Sequence, residues 1–102
     1  MTVRMTRQEV AERLRDLPGW EEREGKLFRN FKFDTYMDGI RFVEAVALES
    51  EAIDHHPDML LVRYADVDLL LFTHSTEGIT YRDFDLAAAA DRAAEPLQKR
   101  DP

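Results

Sequence analysis

The segment from Val67 to His74 constrains the fold of this 102-residue chain more than any other part of the sequence. Its apolar side chains alternate, and a period of two residues predicts a β-strand. One face of that strand carries Val67, Leu69, Leu71 and Thr73, and the other carries Leu70, Phe72 and His74. Because both faces are largely apolar, each needs a cover, and a second subunit is the predicted cover for the far face.

Two capping boxes predict where helices begin. Thr6-x-x-Glu9 opens a short helix that Leu17-Pro18-Gly19 should end, because Pro and Gly together favour a turn. The apolar positions of this helix recur at helical spacing: Val10, Leu14 and Leu17. Thr80-x-x-Asp83 opens the last helix, which we expect to end near Pro96. The packing face of that helix is formed by Phe84, Ala87, Ala88 and Ala94.

The central part of the chain supplies the other elements. Trp20–Arg23 and Lys26–Phe33 are predicted to pair as a hairpin about Glu24-Gly25, with an apolar face made of Leu27, Phe31 and Phe33. Asp34 is the expected cap of a helix from about Thr35 to Ile53. The predicted buried stripe of this helix comprises Ile40, Val43, Val46, Ala47 and Ile53. A further strand, Met59–Tyr64, precedes the alternating strand described above.

The order of these elements is α-β-β-α-β-β-α. It predicts an α+β fold in which a four-stranded antiparallel sheet packs against three helices. The length is that of one domain, and no linker or internal repeat divides residues 1–102.

Composition argues against several classes of function. The chain has 14 basic and 21 acidic side chains, so it lacks the basic face that direct nucleic-acid binding requires. It contains no cysteine, which excludes disulfides, thiolate nucleophiles and zinc sites built on Cys. The longest apolar run, residues 86–90, is too short to span a membrane, and no signal peptide is recognisable at the start. We therefore expect a soluble protein, and a cytoplasmic location fits these features.

The three histidines are the most informative residues for function. His55 and His56 are adjacent, and His74 ends a strand that should run beside the strand following this pair. An imidazole has an ordinary pKa of about 6.5, so it can give and take protons near neutrality. Glu51 lies four residues before His55, and a continued helix would place its carboxylate beside that imidazole. The sequence therefore predicts a proton-transfer site that contains these rings.

Two alternatives remain open at this point. A single histidine is more often a surface or structural residue than a catalytic one, and Glu51 alone is typical of a solvated helix residue. A zinc site is the other chemical interpretation, with the ligands Glu51, His55, His56 and His74. It is disfavoured because adjacent side chains on an extended backbone diverge, and because the chain has no His-Glu-x-x-His helix.

The run Glu51-x3-His55-His56-Pro57-x6-Tyr64-x9-His74-x8-Asp83 resembles the signature of the pterin-4a-carbinolamine dehydratases, also called 4a-hydroxytetrahydrobiopterin dehydratases. Other segments are similar to family positions: Leu17-Pro18-Gly19-Trp20, Phe31-Lys32-Phe33, Val46-Ala47, Thr73-His74 and Gly78 to Asp83. The resemblance covers nearly the whole chain in order, and it implies the same α+β fold that the residue pattern predicts.

The resemblance also implies an activity. The reaction removes water from a 4a-hydroxytetrahydropterin and yields the quinonoid dihydropterin, as part of tetrahydrobiopterin recycling, with no metal and no bound cofactor. The implied catalytic residues are His55, His56 and His74: His55 and His74 would be the acid/base groups, with the order of the two roles left open, and His56 would position the pterin ring. The implied substrate-binding residues are Glu51, Asp54, Thr73 and Arg82.

The partners implied by the resemblance are a pterin substrate, further copies of the chain in a homodimer or homotetramer, and an aromatic amino-acid hydroxylase as a functional link. The sequence departs from the family pattern at two places, and each departure predicts a local structural difference. The spacing from Pro57 to Tyr64 predicts a bulge in that strand, and Glu77, where many members have glycine, is expected to narrow access to the pocket. Two alternative functions use the same scaffold: a non-enzymatic dimerisation or binding module, and a pterin-related task in molybdenum-cofactor metabolism.

Overall fold

The computed structural model describes residues 2–98 of the chain. Within this range three α-helices and four strands follow the predicted order. They are α1 (Arg7–Leu14), β1 (Glu21–Arg23), β2 (Lys26–Lys32), α2 (Tyr36–Ile53), β3 (Asp58–Val62), β4 (Asp66–Leu71) and α3 (Tyr81–Gln98). The predicted α+β fold with a four-stranded antiparallel sheet is confirmed.

The sheet has the strand order β1-β2-β4-β3, so the alternating strand β4 lies in its interior. Its inward side chains face those of β2, with Leu71 opposite Leu27 and Val67 opposite Phe31. All four are at most 1% exposed. Helices α2 and α3 contact these strands and each other, and α1 adds Val10 to the same core. The inward face that the sequence predicted for β4 is therefore confirmed.

The opposite face of the sheet is partly covered by charged side chains of the chain itself. The Arg23 guanidinium lies 3.7 Å from the centre of the Phe28 ring, and the Lys26 ammonium lies 5.6 Å from that of Phe72. Such cation–π contacts place the aliphatic stem of each side chain over apolar surface. Leu70 and Phe72 on this face are half-buried.

The cap of the central helix α2 differs from the prediction. Its N-cap is Thr35 rather than Asp34, because the Thr35 hydroxyl accepts a hydrogen bond from the Asp38 N–H at 3.0 Å. At α1, by contrast, both hydrogen bonds of the predicted capping box between Thr6 and Glu9 are present.

Helix α2 buries only part of its predicted apolar stripe: Val46 is buried, Val43 and Ala47 are half-buried, and the prediction is wrong for the two isoleucines. Its buried apolar residues are Phe42 and Val46, whereas Ile40 and Ile53 are 36% and 40% exposed. The rotation of the helix follows its largest inward side chain: the Phe42 ring packs with its centre 4.5 Å from that of Phe31. Of the predicted stripe, only Val46 is fully buried.

The ends of two strands also differ from the prediction. Strand β4 stops at Leu71, and His74 lies in a short 3₁₀ turn, His74–Thr76. Strand β3 pairs with β4 residue by residue from Asp58 to Val62, so the predicted bulge is absent there. The chain reverses after it through Arg63 and Tyr64, whose φ angles of 50° and 74° are left-handed.

Helix α3 continues through Pro96 to Gln98, although the sequence predicted an end near the proline. The proline removes one backbone donor. Two contacts hold the last turn nevertheless, since Leu97 packs against the core and the Gln98 side chain donates to the Lys32 carbonyl at 3.0 Å. Among residues 2–98, no helix is long and apolar enough to cross a membrane.

Candidate active site

Most of the predicted site residues come from three segments that meet beyond one end of the sheet. Strand β3 begins and β4 ends at this end, because Asp58 pairs with Leu70. The C-terminus of α2 leads into β3, and a short loop connects β4 to the N-terminus of α3. The histidine pair and His74 are thereby carried to the same end of the molecule.

The end of α2 determines how the two adjacent histidines point. Asp54 adopts the left-handed conformation (φ 52°, ψ 49°), and the His55 N–H donates to the Ser50 carbonyl at 3.0 Å. This pairing is typical of a helix C-terminus that reverses direction. After the reversal His55 is 8% exposed, whereas the His56 side chain is 54% exposed. The two imidazoles therefore face different surroundings.

His55 is bound to a buried carboxylate. Its Nε2 lies 2.6 Å from Oδ1 of Asp83, in the first turn of α3, and the Asp83 side chain is fully buried. A carboxylate beside an imidazole orients the ring and favours a hydrogen on the nitrogen that faces it. The N-terminus of α3 also favours negative charge at this position.

Two threonine hydroxyls complete the surroundings of Asp83. Thr73 Oγ1 donates to Asp83 Oδ2 at 2.8 Å and lies 2.8 Å from Thr80 Oγ1. The backbone N–H of Thr80 donates to the same Oδ2 at 2.9 Å. Both threonines are at most 3% exposed. We refer to His55, Asp83, Thr73 and Thr80 as the buried network.

The other ring nitrogen of His55 reaches the surface. Nδ1 has no hydrogen-bond partner among residues 2–98. Within the same part of the chain, no buried side-chain nitrogen or oxygen lacks a partner. Nδ1 is therefore accessible, and His55 presents one nitrogen to Asp83 and the other to solvent or to a ligand.

His56 forms the second histidine–carboxylate pair of the site. Its Nε2 lies 2.5 Å from Oε2 of Glu51, and both side chains are more than half exposed. The sequence predicted that Glu51 would lie beside His55. That prediction is wrong because the left-handed residue Asp54 ends the helix and turns His55 towards α3.

His74 is exposed and lies in the 3₁₀ turn that follows β4. Its ring packs in a T-shaped arrangement with the ring of Phe72, with ring centres 5.2 Å apart. The turn is closed by Glu77, whose backbone is left-handed (φ 53°) and whose N–H donates to the His74 carbonyl at 3.1 Å. His74 is connected to the buried network through its neighbour Thr73.

Arg82 holds the turn that carries the histidine pair. Its guanidinium donates to the carbonyls of Ile53 and Asp54, the latter at 3.1 Å. These are carbonyls at the C-terminal end of α2, where positive charge is favoured. The Asp54 side chain is exposed on the same turn.

Two members of the buried network, Thr80 and Asp83, were not predicted as site residues, although Asp83 is the last residue of the family signature. Thr80 and Asp83 were recognised as a capping box, and that signal is real, because Asp83 accepts from the Thr80 N–H and Thr80 Oγ1 accepts from the Arg82 N–H at 3.2 Å. A capping pattern gives no indication that the free carboxylate oxygen would meet His55. That contact is long-range, over 28 residues.

Two open cavities border the segments of this site. One, of about 380 Å³, is lined by Phe72, Glu77 and Gly78 together with Arg4 of the N-terminal segment. The other, of about 360 Å³, is lined by Ile53, Tyr81 and Arg82. Neither lining includes a histidine. Within the described residues, no three histidine or carboxylate side chains are arranged to hold a metal ion.

The three imidazoles lie at one end of the sheet and two of them are paired with carboxylates, and side chains of this kind can accept and donate protons. Comparison with known proteins gives the family. The sequence model described as "Pterin 4 alpha carbinolamine dehydratase" matches residues 3–93. The chain therefore belongs to the pterin-4a-carbinolamine dehydratase family.

Individual relatives agree with this assignment. A protein of Prochlorococcus marinus is 40% identical over 85% of this chain and 90% of its own length. One of Mycolicibacterium vanbaalenii is 44% identical over 85% and 92%. Both carry provisional names as pterin-4-alpha-carbinolamine dehydratases.

Solved structures show the same fold. A protein of Brucella melitensis described as a transcriptional coactivator/pterin dehydratase is 36% identical, with a TM-score of 0.84 over 89% of this chain and 98% of its own. A pterin dehydratase-like RuBisCO assembly factor of the alpha-carboxysome is 24% identical, with a TM-score of 0.59 over 74% and 86%. The second likeness concerns the fold alone.

Proposed function

We propose that this protein dehydrates 4a-hydroxytetrahydropterins by histidine acid–base catalysis. The observation that carries the proposal is the orientation of His55, which is held by buried Asp83 through one nitrogen and exposes the other. A base that is fixed in the protein and open to a ligand is the arrangement that general base catalysis needs. Membership of the family adds the pterin as the substrate class.

The reaction is balanced without any redox partner. The C4a–O bond of the carbinolamine breaks, and a proton must reach the departing hydroxyl so that it leaves as water. A second proton must leave N5, so that a C4a=N5 double bond forms. One base and one acid are therefore sufficient, and each contributes about 10²- to 10⁴-fold when it is positioned.

The geometry supports a division of roles among the histidines. His55, with Asp83 behind it, is the proposed base for the N5 proton, through its accessible Nδ1. His74, exposed in its turn, is the proposed acid for the hydroxyl. His56 and Glu51 form an exposed pair that we propose to orient the pterin ring.

The roles proposed for the remaining site residues follow from what their polar atoms contact. Thr73 is buried and donates its only hydroxyl hydrogen to Asp83, and Arg82 donates to backbone carbonyls. We therefore propose that both position the histidines. Asp54, whose side chain is exposed beside the pair, is the proposed substrate-binding carboxylate for the pterin amino edge.

The test is the decay of enzymatically generated 4a-hydroxytetrahydropterin, followed by its ultraviolet absorbance. Catalytic amounts of the protein should accelerate the decay, and His55→Ala and His74→Ala should each lower kcat by about 10²-fold or more. Glu51→Gln should lower it less, with Glu49→Gln on the same helix as the matched control. Decay that is no faster with folded wild-type protein than without it would overturn the proposal.

A homodimer or homotetramer, a cytoplasmic location and service to an aromatic amino-acid hydroxylase belong to the same proposal. The support for self-association is the apolar surface of α2, where Met37 and Leu48 are 51% and 68% exposed. Sedimentation should give a mass above that of one chain, and Leu48→Glu should reduce it. A monomer at micromolar concentration would contradict this part.

The alternative is a binding module on the same scaffold, which the exposed apolar residues of α2 also favour. Stable capture of a protein partner by a chain that does not accelerate dehydration would favour the module. Loss of that capture in Leu48→Glu but not in His55→Ala would locate the partner surface on α2 and away from the histidines.

A further inference from the structure

We propose that Thr80, acting through Thr73 and Asp83, fixes the tautomer of His55 so that its exposed Nδ1 carries a lone pair. Thr80 is thus a positioning residue for the proposed base, and this inference rests on the proposed function only for its kinetic consequence. The basis is the closed set of hydrogen bonds in the buried network, in which each hydrogen can be assigned to one bond.

Oδ2 of Asp83 accepts two hydrogen bonds. The backbone N–H of Thr80 reaches this oxygen at 2.9 Å, and a backbone amide can only donate. Thr73 Oγ1 reaches the same oxygen at 2.8 Å. Two donors on one oxygen stabilise the ionised carboxylate, which is otherwise costly to bury.

The hydroxyls of Thr73 and Thr80 form a chain of hydrogen bonds that ends at Asp83. Thr73 has one hydroxyl hydrogen, and Asp83 receives it. The contact of 2.8 Å between Thr73 Oγ1 and Thr80 Oγ1 must therefore be donated by Thr80. Thr80 Oγ1 in turn accepts the backbone N–H of Arg82 at 3.2 Å. The hydrogens are ordered from Thr80 to Thr73 to Asp83.

This order decides the protonation of His55. With Oδ2 engaged by two donors and the carboxylate ionised, Oδ1 can only accept, so Nε2 of His55 carries the hydrogen across the 2.6 Å contact. A neutral histidine has one protonated nitrogen, and Nδ1 is therefore the unprotonated one. It is the nitrogen that reaches the surface.

Removal of the Thr80 hydroxyl should loosen this order. In Thr80→Val the backbone donor to Asp83 remains, but Thr73 Oγ1 loses the hydrogen that it accepts and is free to rotate away from Oδ2. The ionised carboxylate is then less stabilised, and uptake of one proton from solvent gives the opposite arrangement, in which Oδ1 carries a hydrogen that it donates to Nε2 and the ring hydrogen lies on Nδ1. Thr80→Ser keeps the hydroxyl and should keep the wild-type order.

The test reads the tautomer directly by nitrogen NMR on histidine-labelled, substrate-free protein. The His55 resonances, assigned with His56→Gln and His74→Gln, should show a protonated Nε2 in wild type and Thr80→Ser and a mixture in Thr80→Val. If Thr80→Val does not fold, Thr73→Val is the second variant, and we expect the same mixture of His55 tautomers in it. A protonated Nδ1 in the wild type, or an unchanged tautomer in both valine variants, would overturn the inference.

Kinetics separate this inference from the proposed function. In the dehydration assay, kcat of Thr80→Val should fall on the order of tenfold while KM changes little, as is typical when a group that orients a catalytic residue is lost. Thr80→Ser should retain wild-type kcat. A wild-type protein with the expected tautomer and no turnover would refute the proposed function alone, whereas normal turnover with a protonated Nδ1 would refute the positioning role alone.

Discussion

Replacement of Asp83 by asparagine should invert the tautomer of His55 with little loss of stability. The amide has one acceptor and one donor group, so it can be placed in two ways. With its oxygen towards His55, its NH₂ group faces the Thr80 N–H, and that buried donor is left unsatisfied at a cost of about 1–3 kcal/mol. With its oxygen towards Thr73 and Thr80, every donor keeps an acceptor, and the NH₂ group donates to Nε2.

The second placement should dominate, because it avoids the unsatisfied donor. It forces the His55 hydrogen onto Nδ1, so the exposed nitrogen can no longer accept a proton. Stability should fall by only about 1–2 kcal/mol, the difference between charge-assisted and neutral hydrogen bonds. kcat should fall by about 10²- to 10⁴-fold, because a base in the wrong tautomer costs nearly all of its contribution.

The assays are urea unfolding and the dehydration rate, measured on the same preparations. Asp16→Asn, an exposed acid outside the site, is the control and should match the wild type in both. Asp83→Asn with wild-type kcat would refute the role of the contact between His55 and Asp83. A loss of stability well above 3 kcal/mol would refute the reasoning about amide placement.

Three further predictions concern stability. Glu77→Gly should raise the free energy of unfolding by about 1 kcal/mol, measured by urea unfolding, because glycine tolerates the left-handed φ of 53°. The hydrogen bond from Lys32 lowers the pKa of Asp66. The ionised carboxylate therefore stabilises the fold at pH values above its ordinary pKa of about 3.9. This stabilisation is lost as the pH falls through the lowered pKa. Asp66→Asn should therefore be less stable than wild type at pH 7, and the two should converge in strong acid; a constant difference would contradict this. Phe42→Ala should cost about 3–5 kcal/mol in the same unfolding assay, since the ring is fully buried against Phe31.

Local patterns in the sequence were sufficient for most of the fold. Alternation in β4 identified its buried face, and the Thr6–Glu9 box identified the start of α1. The rotation of α2 was not predictable in this way. Its sequence offers several apolar stripes of similar strength, and the choice among them depends on packing of Phe42 against strands that are distant in sequence.

The sequence predicted which residues belong to the site, but it did not predict how these residues pair with one another. Periodicity and resemblance selected the three histidines, but their partners depend on the left-handed residue Asp54, which has no glycine signal. That residue directs His55 to Asp83 and leaves Glu51 to His56. The buried network is formed by contacts across the ends of three elements, and a one-dimensional pattern does not contain them.

The proposed reaction requires that one bound pterin contacts all three histidines. An unreactive oxidised pterin, titrated into histidine-labelled protein, tests it most directly through the ring resonances of His55, His56 and His74. All three should shift together and saturate with a single Kd, and His55→Ala should weaken binding without unfolding the chain. Pterin binding that moves none of the three rings, or only one of them, would contradict it.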